Sequence, residues 1–112
     1  ITNSVEFLTI LSEMRIRCTI CGGEYYAPDK TLVGREAEKF LHSINYDIAF
    51  LSCDGIDADG TVSVESENSV ALVEISFKNA KKRIIISDHS KLSTRYKYNV
   101  CNTADADDII IM

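Results

Sequence analysis

Between residues 4 and 14 the apolar side chains Phe7, Leu8, Leu11 and Met14 recur at helical spacing, and Thr2, Asn3 and Ser4 ahead of them are all suited to capping. The pattern predicts a helix that opens at residue 3 or 4. Over residues 15–20 polar and apolar positions alternate, with Ile16, Cys18 and Ile20 on one face, which predicts a strand with one wet face near a sheet edge. Gly22 and Gly23 stop it. Ala37, Phe40, Leu41 and Ile44 follow the i, i+3, i+4, i+7 rule, so a short amphipathic helix is expected from Arg35 to about Ser43. Residues 47–53 and 83–87 instead hold unbroken apolar runs, Ile48-Ala49-Phe50-Leu51 and Ile84-Ile85-Ile86. Such runs suit strands covered on both faces, as in a parallel sheet. Between them, residues 67–80 carry Val70, Ala71, Val73, Ile75 and Phe77, long enough for a crossover helix, and a last apolar run at 109–112 follows Asp105-Ala106-Asp107-Asp108.

Strand and helix therefore alternate, which predicts an α/β fold: three layers, a mainly parallel sheet with helices on both faces, joined by right-handed crossovers. The chain opens on a helix cap with only Ile1 before it and stops inside an apolar run. It reads as a partial domain, truncated at its N-terminus, whose first strand ends at Ile1. There is no internal repeat and no low-complexity segment.

Composition narrows the class. Of 112 residues 46% are apolar, with five Gly and one Pro, the profile of a single soluble globular domain. Twelve Lys and Arg against seventeen Asp and Glu leave a net charge of −5, spread over both halves, so this stretch does not bind nucleic acid by charge. No apolar stretch approaches the ~20 residues that span a bilayer, and no membrane partner is expected. The four cysteines are scattered along a chain that needs no staples, which points to a reducing, cytoplasmic setting.

In open parallel sheets ligands settle beyond the carboxyl ends of the strands. The residues expected there are Thr2-Asn3-Ser4, Gly22-Gly23, Asp54-Gly55-Ile56-Asp57 and Asp88-His89-Ser90-Lys91. Backbone N–H groups at a helix start and a glycine pair can cradle an anion, and a nearby lysine adds a point charge. A phosphorylated small molecule fits that set, although each cluster taken alone is also an ordinary turn. Asp54, Asp57 and Glu67 suit a general base or acceptors of sugar hydroxyls, or simply solvated loop carboxylates. Lys91 directly follows an apolar strand, whereas Lys78, Lys81, Lys82 and Arg83 crowd a helix end and complement its dipole. Cys18-Thr19-Ile20-Cys21 has CxxC spacing but no second pair, and on a strand the two thiols face opposite sides, so no metal is assigned. His42 and His89 read as surface or turn residues, and Gly22-Gly23 is not part of a dinucleotide fingerprint.

The succession Thr2-Asn3-Ser4, Gly22-Gly23, Leu32-Val33-Gly34 leading into a helix, Asp47 to Leu51 with Asp54-Gly55-Ile56-Asp57, Glu67 opening a helix, and Asp88-His89-Ser90-Lys91 resembles the C-terminal effector-sensing domain of DeoR-type transcriptional regulators over nearly the whole chain. The resemblance implies a sensor similar to ribose-5-phosphate isomerase, without catalysis and without a cofactor, in a bacterial regulator of sugar metabolism. It implies a phosphorylated sugar as effector, with Thr2, Asn3, Gly22, Gly23, Asp54, Gly55, Glu67 and Lys91 lining the site. DNA is then bound by an N-terminal winged helix-turn-helix outside this chain, and the full-length protein is expected to be a homo-oligomer, since paired half-sites ask for paired readers. Two departures stand out: Arg35 follows Gly34 where the family commonly has Pro, and the family's first strand and phosphate loop lie upstream of Thr2. The alternative is an aldose-ketose sugar-phosphate isomerase in which Glu67 abstracts a proton while Asp54, Asp57 and Lys91 hold the substrate.

Overall fold

The computed structural model describes all residues, 1–112, and the chain packs as two compact units, Ile1–Ser43 and Ile44–Met112. In the first unit, helix α1 (Val5–Glu13) starts where Ser4 caps it, the Ser4 hydroxyl accepting from the Phe7 amide at 3.0 Å. Leu8 and Leu11 are half-buried while Phe7 and Met14 stay exposed. The helix ends on a Schellman motif. Arg15 sits in the left-handed region at φ 56°, its amide donates to Ser12 O and the Ile16 amide to Leu11 O.

That cap corrects the strand expected over 15–20. Its first residues turn the chain back over the helix end, and only Ile20 forms a bridge, parallel to Thr2. The segment Thr2–Ser4 instead lies between two neighbours, since Ser4 also bridges Thr31. A short antiparallel hairpin of β1 (Glu24–Tyr26) and β2 (Thr31–Val33) follows, then α2 (Arg35–His42), which buries Ala37 and Leu41 on the stripe read from the sequence.

The second unit holds β3 (Tyr46–Ser52), β4 (Gly55–Ile56), β5 (Thr61–Val64), α3 (Asn68–Lys78), β6 (Ala80–Ser87), β7 (Tyr98–Asn102) and β8 (Asp108–Ile111). Strands β3, β6 and β8 form a parallel sheet in that order, with Ser52 beside Ile86 and Ser87 beside Ile111. Their carboxyl ends therefore finish level with one another. The class is α/β, and to the expected parallel sheet the structure adds an antiparallel one, β4-β5-β7. The core lies between them: Leu51 and Ile85 from one sheet, Ile56 and Val62 from the other, and Phe77 from α3.

Full coverage of both faces holds for central β6, where Ile84 and Ile85 are buried, but not for β3. There Ala49 and Leu51 point into the core while Ile48 and Phe50 are 46% and 61% exposed. An edge strand has one neighbour fewer, and its apolar run covers one face only. The basic cluster also divides. Lys78 closes α3, and Arg83 reaches back from β6 so that its Nε donates to Phe77 O at 2.6 Å, satisfying a carbonyl of the helix end. Lys81 and Lys82 are exposed residues of β6.

Candidate functional site

Thr2, Asn3, Gly22 and Gly23 come together in the first unit. The Thr2 amide donates to Thr19 O and the Cys21 amide to Thr2 O, each at 3.0 Å, which draws residues 2–3 alongside the segment that ends in the glycine pair. Both polar side chains already serve the backbone. Thr2 Oγ1 accepts from the Ser4 amide at 3.1 Å, and Asn3 Nδ2 donates to Leu32 O at 3.3 Å, just as the Leu32 amide donates to Asn3 O.

The two glycines differ. Gly23 has φ +126°, and a Cβ there would stand 2.6 Å from Val33 O, so packing against β2 and α2 requires it. Gly22 has no positive φ, and a Cβ there would meet nothing within 4 Å. Beside it, the Cys21 thiol is buried and its pKa is pushed up by desolvation, opposed by a hydrogen bond to its own backbone.

In the second unit, Asp54, Asp88 and Lys91 gather at the level ends of β3 and β6. All three are close enough to act on the buried Cys53 thiol: burial raises its pKa most, a hydrogen bond from Ser87 and the Lys91 ammonium lower it, and the Asp54 and Asp88 carboxylates raise it. Asp54 also fastens the loop between β5 and α3, its Oδ2 accepting from the Glu65 amide at 2.8 Å. Asp88 caps the 3-10 turn His89–Lys91, accepting from both the amide and the hydroxyl of Ser90. Those bonds, with lesser help from Lys91 and His89, hold its carboxyl below the ordinary value.

Gly55 proves to be a packing residue, since a Cβ there would stand 2.6 Å from Thr94 O. Glu67 lies exposed at the start of α3 and makes no capping hydrogen bond. Asp57 is occupied, its Oδ2 paired with Arg95 Nε at 2.9 Å and its Oδ1 accepting from the Ala58 amide. His89 is tied down as well, with Nδ1 2.8 Å from Met112 O beyond β8. Cys53 and Ser87, joined by a hydrogen bond, and Arg95, paired with Asp57 and Asp59, carry no signal in the sequence, because their relevance arises from strand register and from contacts across more than thirty residues.

The description of the family model that matches residues 1–111 is the DeoR C terminal sensor domain. The chain belongs to this family. The DeoR-type sensor domain shares 30% identity over 95 residues with the HTH-type transcriptional regulator GlpR of Haloferax volcanii, covering 85% of this chain and 37% of that protein. It is 26% identical over 111 residues to a putative aga operon transcriptional repressor of Escherichia coli O157:H7, covering 98% of this chain and 41% of the repressor. It is 23% identical over 110 residues to the glycerol-3-phosphate regulon repressor of Escherichia coli K12, covering 97% and 44%. The chain thus spans less than half the length of these relatives. No helix in it is long and apolar enough to cross a membrane.

Proposed function

We propose that this chain is the effector-sensing part of a cytoplasmic transcriptional regulator of sugar metabolism, and that the effector is a phosphorylated sugar. The observation that carries the reading is the cluster of Asp54, Asp88 and Lys91 around Cys53, at the level carboxyl ends of two parallel strands, in a DeoR-type sensor. Lys91 supplies charge for a phosphate, and the carboxylates accept hydrogen bonds from sugar hydroxyls. Gly55, next to Asp54, and Glu67, two residues beyond the Glu65 amide that Asp54 holds, are proposed for the same site; in the first unit, taken by itself, Thr2, Asn3, Gly22 and Gly23 are proposed as effector-binding residues.

Sensing works by differential affinity: the effector favours one conformation or assembly of a homo-oligomer, and DNA-binding domains outside this chain engage an operator differently in the two. No cofactor is needed for that. Glu67 is exposed and makes no capping hydrogen bond that would hold it in one direction, so it is not fixed as a proton-abstracting base needs to be, which favours sensing over isomerisation.

The test is thermal unfolding of the full-length protein against a panel of phosphorylated sugars. A true effector at a hundred times its Kd stabilises by about 2.7 kcal/mol. Failure of every member to raise the melting temperature overturns the reading, and turnover of a pentose phosphate that vanishes in Glu67→Gln replaces it with an isomerase.

A further inference from the structure

We propose that Arg95 is a positioning residue for Lys91: by gripping the turn between β4 and β5 it fixes the segment 91–96 and so sets where the Lys91 ammonium meets an anion. The inference rests on the effector reading above. Arg95 is 46% exposed at its side chain, yet it makes three directed contacts. Its Nε pairs with Asp57 Oδ2 at 2.9 Å, and its Nη2 reaches Asp59 Oδ2 at 2.9 Å and Thr61 Oγ1 at 3.2 Å. A planar fork spanning two carboxylates fixes direction in a way one ammonium cannot.

What it grips is itself stiff. The Asp57 amide donates to Thr61 O, the Gly60 amide to Asp57 O, and the Thr61 amide to Asp59 Oδ1. Asn102 at the end of β7 and Thr103 just after it hold the same turn, through Asn102 Nδ2 to Asp59 O and the Thr103 amide to Gly60 O.

From Arg95 the constraint runs back to Lys91. Thr94 Oγ1 donates to Lys91 O at 2.6 Å, Leu92 bridges Ile56 in parallel, and the Thr94 carbonyl lies against Gly55 so closely that no side chain fits there. On the other side of Arg95, the Tyr96 amide donates to the fully buried Ser63 hydroxyl at 2.8 Å. Lys91, half-buried, is thus suspended between the Asp88-capped end of β6 and the Arg95 grip.

The test combines inorganic phosphate titration with amide hydrogen exchange on the full-length protein and its variants Arg95→Ala, Arg95→Lys, Lys91→Gln and the double variant Lys91→Gln/Arg95→Ala. Arg95→Ala is expected to speed exchange across 91–96 and to weaken phosphate binding roughly fivefold to tenfold, with Arg95→Lys restoring only part. In the Lys91→Gln background the further loss is expected to vanish, because Arg95 acts through Lys91. Two results overturn the proposal: exchange at 91–96 unchanged in Arg95→Ala, or losses that multiply in the double variant, which makes Arg95 a direct anion contact. If the unsubstituted protein binds no phosphate, the effector reading falls, and Arg95 is then an anchor of the segment with no role for Lys91.

Discussion

At the scale of single residues, the two adjacent glycines separate a folding requirement from a binding one. Gly23→Ala forces a methyl group against Val33 O in a left-handed backbone and is expected to cost about 1–3 kcal/mol in urea denaturation. Gly22→Ala meets open space and is expected to stay within about 0.5 kcal/mol of the parent, so a loss of effector response in that variant identifies Gly22 as a ligand contact. Asp59 gives a pH signature. Hydrogen bonds from the Thr61 amide and hydroxyl, then Arg95, hold its carboxyl down to about 2 against an ordinary 3.8. Because the folded-state pKa is the depressed one, its contribution is present in full above about pH 4 and is lost as pH falls toward 2. The urea midpoint of Asp59→Asn is therefore expected to differ from the parent by a constant amount above pH 4 and to converge with it near pH 2. Burial first, then Asp105 and Cys53, push the Cys101 thiol up to about 11. At pH 8 only about a thousandth of it is thiolate, and alkylation with iodoacetamide is expected to be correspondingly slow.

Among the elements, α1 and β3 show where one-dimensional pattern and packing part company. The alternation after Met14 is genuine, yet the Schellman cap uses Arg15 and Ile16 to satisfy Ser12 O and Leu11 O before a strand can begin. Arg15 occupies a position that glycine takes without strain, so Arg15→Gly is expected to raise stability by up to about 1 kcal/mol in thermal or urea unfolding. In β3 two successive apolar residues have opposite fates, Leu51 in the core and Phe50 outside. Leu51→Ala is expected to cost about 2–5 kcal/mol. Phe50→Ala should cost much less, and equal costs would mean that the outer face is covered in the native protein. The helices are legible for the converse reason: α2 carries an apolar stripe long enough to show the 3.6-residue period and α3 an apolar stretch long enough for a crossover, while β1, β2 and β4 span two or three residues each and are too short to show any pattern.

For the whole molecule, the α/β class, the apolar strands that became β3, β6 and β8, the α2 and α3 helices and the polar residues that follow the parallel strands were all determined by the sequence by itself. These features are local: periodicity, capping residues and charge belong to neighbouring positions, and a chain displays them before it folds. It takes the packed chain to make β4, β5 and β7 a second, antiparallel sheet, to bring Asp54, Asp88 and Lys91 within electrostatic reach of Cys53, and to let Arg95 grip Asp57 and Asp59. The Arg95–Asp59 contact joins residues 36 apart, and the Tyr96–Ser63 bond residues 33 apart. Such pairings follow from which strands lie side by side and in what register, a competition among many alternatives that the burial of the whole core settles and no short window of sequence records.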